Sequence, residues 1–160
     1  MTSLPTNLVL YAEDDENDVF FMERAFSKLK LRGALRVVQN GRAAVDYLSG
    51  TRAYVDRAKY PLPNLLLLDV KMPEMSGLEV LKWARERPAF QPLPILLFTS
   101  STQRSDIEFS RAHEASGYLV KPSNSDHLAV LVSKILAASA VLLSKGEILK
   151  LEENLLGTAL

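Results

Sequence analysis

The chain has 160 residues, with 19 Lys and Arg balancing 19 Asp and Glu, 48% hydrophobic residues, two His and no Cys. Such a length suits one domain with a substantial core, and the lack of Cys excludes a disulfide framework, a thiolate metal site and a cysteine nucleophile. Two isolated histidines, His113 and His127, leave little room for a histidine-based metal centre, and charge spread evenly over both halves gives no nucleic-acid-binding stripe.

In chain order, short apolar runs occur at Leu8–Ala12, Leu35–Val38, Leu65–Leu68, Ile95–Phe98 and Tyr118–Val120. Between them, apolar residues fall at helical spacing: Val19, Phe20, Met22, Ala25, Phe26 and Leu29 before Gly33, then Ala44, Val45 and Leu48 before Gly50. Leu78, Val80, Leu81 and Ala84 before Pro88 predict a third helix, and Ile107, Phe109 and Ala112 before Gly117 a fourth. A last helix starts near Leu128, with Ser125 or Asp126 as its cap. Five strands alternating with helices predict an α/β fold, a doubly wound five-stranded parallel sheet covered on both faces.

The third and fourth runs are apolar at every position, as expected of central strands buried on both sides, whereas the second ends in Gln39, as expected of an edge. Residues 50–63 are long for a connection in such a fold; they are expected to be a lengthened second helix plus loop, or a partner-binding element. No apolar run approaches the roughly 20 residues that cross a bilayer, and residues 1–6 lack the features of a signal peptide. The expectation is a cytoplasmic protein with neither membrane nor nucleic-acid partners.

The first strand runs into Glu13-Asp14-Asp15-Glu16-Asn17-Asp18, five acids in six positions, at the strand end where an open α/β sheet forms its functional crevice. Acids in a first helical turn complement the helix dipole, and Asp15, Glu16 and Asp18 are assigned that role. Glu13 and Asp14 sit at the strand end itself. The third strand ends in Asp69, and strands one and three are neighbours at the switch point of a doubly wound sheet. Three carboxylates gathered there repel one another and require a cation; with only oxygen donors on offer, Mg²⁺ is the natural choice. Thr99 closes the fourth strand and Lys121 the fifth, adding a hydroxyl and an ammonium that can complement a phosphoryl group at the same edge.

The motifs Tyr11-Ala12-Glu13-Asp14-Asp15, Leu68-Asp69-Val70-Lys71-Met72-Pro73-Glu74-Met75-Ser76-Gly77, Phe98-Thr99-Ser100-Ser101 and Gly117-Tyr118-Leu119-Val120-Lys121-Pro122 together resemble, in order and spacing, those of two-component response regulator receiver domains. The resemblance covers residues from about 7 to 140. It implies a (βα)5 flavodoxin-like sheet of strand order 2-1-3-4-5, and a phosphorylation-controlled switch rather than an ordinary enzyme. It further implies that Asp69 accepts a phosphoryl group from the phosphohistidine of a sensor histidine kinase. Asp14 and Asp69 would ligate Mg²⁺, with Mn²⁺ an alternative; Glu13 would do so mainly through water, and the Lys71 backbone carbonyl would add an oxygen. Lys121 and Thr99 would contact phosphoryl oxygens, Thr99 and Tyr118 would form the switch pair, and Pro122 would follow a cis bond. Output would be a changed surface on helix four, strand five and helix five, read by a downstream protein or phosphotransfer protein, or used for homodimerisation. Lys71, Ser100 and Ser101 line the entrance to the acceptor and bear on dephosphorylation rate and partner choice.

Residues 1–143 are expected to form the receiver domain and 144–160 a C-terminal extension, a helical arm or tail with no separate output domain. Leu128, Ile135, Leu142, Leu149 and Leu156 recur every seven residues, which predicts an arm for dimerisation or docking, or one packed back on the domain. The long 50–63 connection, together with the expected lack of an output domain, is similar to the small receivers that serve phytochrome-type sensor kinases. Two alternatives stand beside this reading: a receiver-like docking module that is never phosphorylated, and a phosphatase of the haloacid dehalogenase class. The latter wants a second Asp where Lys71 stands.

Overall fold

The structure, a computed structural model, describes residues 8–141. Its strands are β1 (Val9–Ala12), β2 (Leu35–Val38), β3 (Leu65–Leu68), β4 (Ile95–Thr99) and β5 (Gly117–Val120). They alternate with helices α1 (Glu16–Lys28), α2 (Gly41–Ser49), α3 (Gly77–Arg85), α4 (Arg104–Ala112) and α5 (Asp126–Val141). All four strand pairings are parallel and the order is β2-β1-β3-β4-β5, the doubly wound sheet expected from the sequence.

The pleat explains the unbroken apolar runs. Leu65 and Leu67 of β3 enter one core layer with Met22 and Phe26 of α1 and Val132 and Ile135 of α5. Leu66 and Leu68 enter the other, with Ala44 and Leu48 of α2 and Val80 and Leu81 of α3. Neither face is polar, because each is roofed by helices. Each enclosed Leu contributes about 1.5–3 kcal/mol from burial. At the edge, β2 leaves Arg36 exposed.

Helix starts follow from short polar residues. Asp15 caps α1 by accepting from the Asn17 and Asp18 amides, Asn40 caps α2 through the Ala43 amide, and Ser76 and Glu79 form a reciprocal capping box on α3. Helix α5 begins at Asp126, and the Asn124 side chain accepts from the Asp126 amide at 2.9 Å in an Asx turn just ahead of it.

The 50–63 connection is not a lengthened helix. Gly50, at φ 66°, ends α2, and Arg57 then folds the loop back: its guanidinium donates to the carbonyls of Tyr47 at 2.7 Å, Leu48 at 2.6 Å and Tyr60 at 3.1 Å. The Leu48 carbonyl is one that the helix C-terminus leaves without a backbone partner, while the Tyr47 carbonyl also accepts from the Gly50 amide at 3.2 Å. Tyr54 and Tyr60 pack on Tyr47, with ring centroids 5.0 and 6.0 Å away. The boundary expected at 143/144 and the leucine positions from Leu142 onward lie outside the described residues.

Candidate functional site

The carboxyl ends of β1, β3, β4 and β5 meet at one edge of the sheet. Register places Ala12 beside Leu68, so Glu13 and Asp69, the next residues of each strand, emerge side by side. The Asp69 amide donates to the Ala12 carbonyl at 3.1 Å, continuing the ladder as far as Asp69. Glu13, Asp14 and Asp69 each offer a carboxylate oxygen, all within 4.8 Å of one another, as the acid pattern predicted.

Glu13 is fully enclosed, and both its oxygens are taken: Oε1 accepts from the Asp15 amide at 3.1 Å, Oε2 from the Tyr11 hydroxyl at 3.1 Å and from Lys121 Nζ. Burial pushes its carboxyl up to about 7, although the hydrogen bonds from Lys121 and Asp15 pull the other way. Burial, then the charge of Glu13, likewise raises the Tyr11 phenol.

Lys121 reaches this cluster from the end of β5, where its amide donates to the Thr99 carbonyl at 2.8 Å. Its Nζ contacts Glu13 Oε2, lies 2.8 Å from Asp18 Oδ2 and lies 3.0 Å from Asp69 Oδ2. Burial alone would lower the ammonium's pKa; the hydrogen bonds to Asp18 and Glu13 and the charges of Glu13 and Asp69 outweigh it and hold the group charged. The Lys121–Pro122 bond is trans, in contrast to the expected cis form. The tertiary amide favours trans by only about 0.5–1 kcal/mol, so local geometry decides, and the lysine reaches its three carboxylates without isomerisation.

Thr99 and Tyr118 are both buried but do not bond to each other; they converge on Ser101. Thr99 Oγ1 accepts from the Ser101 amide at 3.2 Å, and the Tyr118 hydroxyl donates to the Ser101 carbonyl at 2.8 Å. Ser101 Oγ also donates to Asp106 of α4 at 2.7 Å, so one residue ties the site edge to that helix. Lys71 is exposed and its carbonyl accepts no bond from the described residues. Sequence reasoning gave Asp18 only a dipole role and missed its contact with Lys121. No sequence period signals it, because the contact joins the first turn of α1 to the end of β5.

One edge of the doubly wound sheet thus carries paired acids after β1, an aspartate after β3 and a lysine after β5. The response regulator receiver domain model matches residues 9–133, and the chain belongs to that family, whose members are signalling switches rather than conventional enzymes. It is similar to response regulator Rcp1 of Synechocystis, 28% identical over 133 residues that cover 83% of this chain and 88% of that protein. The probable methanogenesis regulatory protein FilR2 of Methanothrix harundinacea is 29% identical over 132 residues, 80% of each chain. Among solved structures, the Mn²⁺-bound form of Rcp1 has a TM-score of 0.69 at 28% identity, covering 81% of this chain and 91% of that one. RPA3017, a response regulator in red light signalling of R. palustris, has a TM-score of 0.76 at 26% identity, covering 82% and 92%. No helix among the described residues is long and apolar enough to cross a membrane.

Proposed function

We propose that this chain is a response regulator receiver that accepts a phosphoryl group on Asp69 from a sensor histidine kinase and signals through protein contacts. The observation that carries this reading is the bridge of Lys121 Nζ between Glu13 and Asp69, beside Asp14. In the transfer, an Asp69 carboxylate oxygen attacks phosphorus, the phosphorus–nitrogen bond to the kinase histidine breaks, and the electron pair leaves with the imidazole.

The donor set is all oxygen and its charges repel, which suits Mg²⁺, or Mn²⁺ as in the Mn²⁺-bound form of Rcp1. Asp14, Asp69 and the Lys71 carbonyl would hold the ion, and Glu13 would act through water because its oxygens already accept bonds. Bound there, the ion would neutralise phosphoryl charge. Lys121 and the Thr99 hydroxyl would bind phosphoryl oxygens, and Tyr118 would pass the change to α4, β5 and α5. A phytochrome-type kinase is the proposed donor, supported by the red-light regulator RPA3017 and the bacteriophytochrome response regulator RtBRR among similar structures. A downstream protein, a phosphotransfer protein or a second copy would read the changed face, on which Val130 is exposed. Residues 1–143 would form this domain and 144–160 an arm.

The test is intact mass after incubation with acetyl phosphate, with and without Mg²⁺, beside Asp69→Asn. A labile single-phosphoryl adduct that needs both Mg²⁺ and Asp69 is expected. No adduct from acetyl phosphate or from a kinase donor would overturn the reading in favour of a docking module.

A further inference from the structure

An ammonium has three N–H donors, and all three of Lys121 are engaged, by Glu13, Asp18 and Asp69. No donor is left for a phosphoryl oxygen until one carboxylate lets go. The three are unequal. The Glu13 side chain is 0% exposed and Asp69 10%, whereas Asp18 is 38% exposed and sits on α1 rather than at a strand end. Asp18 also borders a cavity of about 210 Å³, with Tyr11, Phe98, Lys121 and Ser125. It can trade its lysine bond for water at the least cost, because its carboxylate already meets solvent.

We infer that Asp18 is a positioning residue that occupies the phosphoryl-binding donor of Lys121 in the resting protein and yields it when Asp69 is phosphorylated. This rests on Asp69 being the phosphoacceptor. The Lys121 N–H changes acceptor from Asp18 Oδ2 to a phosphoryl oxygen, and the ammonium keeps its protons. The freed Asp18 carboxylate turns to the cavity and to solvent, so α1, as well as the segment after β5, registers the state of the site. Asp18 thus opposes phosphorylation twice, by holding the lysine and by placing a negative charge beside the incoming dianion.

The experiment compares the rate of adduct formation from acetyl phosphate in the presence of Mg²⁺ for the full chain, Asp18→Asn, Asp18→Glu and Glu16→Gln, by quenched intact mass. In each case the Asp69–phosphorus bond forms as the phosphorus–oxygen bond to acetate breaks. Asp18→Asn is expected to be phosphorylated about fivefold faster, the scale of one partly exposed charge pair. Asp18→Glu should restore most of the resting rate, and Glu16→Gln, which removes the same charge from the same turn away from Lys121, should change it by less than about twofold. Thermal unfolding confirms that each variant is folded. An Asp18→Asn rate equal to or below that of the parent, or an equal gain in Glu16→Gln, overturns the inference. Absence of any adduct on the parent chain would instead overturn the assignment of Asp69.

Discussion

Gly77 lies so close to the backbone of Asp69 that a Cβ at position 77 would overlap the Asp69 carbonyl oxygen, while the Gly77 amide donates to the Val70 carbonyl at 3.0 Å. The loop after β3 therefore doubles back against the peptide of Asp69. Gly77→Ala must move that peptide, and overpacking of this kind costs about 1–3 kcal/mol. The expected outcome is a matching fall in urea stability together with slower adduct formation at Asp69. Unchanged stability and rate would show that the loop shifts freely.

Glu13 gives the site a pH dependence. Its folded value of about 7 lies above its ordinary value of 4.5, so its contribution to stability is present below pH 4.5 and is lost as pH rises through 7. In EDTA, the chain should melt at a lower temperature at pH 8 than at pH 6. A cation competes with that proton, so Mg²⁺ affinity should rise about tenfold from pH 6 to pH 8, as titration calorimetry would measure. A flat affinity profile would count against Glu13 acting on the ion.

Arg57 fastens the 50–63 connection to the end of α2. Arg57→Ala leaves the Tyr47, Leu48 and Tyr60 carbonyls without this donor. A cost of about 1–3 kcal/mol is expected in urea unfolding, with faster chymotryptic cleavage after Tyr54. Adduct formation at Asp69 should change little, because the connection precedes β3 at the opposite end of the sheet from the acids.

The joint at Ser101 separates two contacts. Tyr118→Phe removes the donor to the Ser101 carbonyl, whereas Ser101→Ala keeps that bond and removes the hydroxyl that donates to Asp106 and accepts from the Gln103 amide at 3.3 Å. Each single loss should cost about 0.5–1.5 kcal/mol in urea unfolding. Tyr118→Phe with Ser101→Ala should sum to both losses if the contacts are independent, and fall short if they form one network.

Much of this was legible in the residues. Leu65–Leu68 read as a central strand because only a strand covered on both faces can be apolar at every position. Glu13, Asp14 and Asp69 read as a cluster because strand ends are fixed points of the topology. Asp18 did not, since a first-turn acid always has a sufficient local explanation in the helix dipole. The course of 50–63 was hidden for another reason: a single guanidinium finding three carbonyls is a tertiary relation with no period to betray it. The Lys121–Pro122 isomer rests on a free-energy difference too small for sequence to decide.

The arrangement of edges in the sheet bears on how copies of the chain meet. The four-leucine strand is paired on both sides, and the open flanks fall to β2, with Arg36, and to β5, which runs out into Lys121-Pro122. Charge and proline on a flank discourage strand-to-strand annealing. Crowding should therefore bring copies together through their helices, in contacts that can dissociate, and away from fibrillar growth.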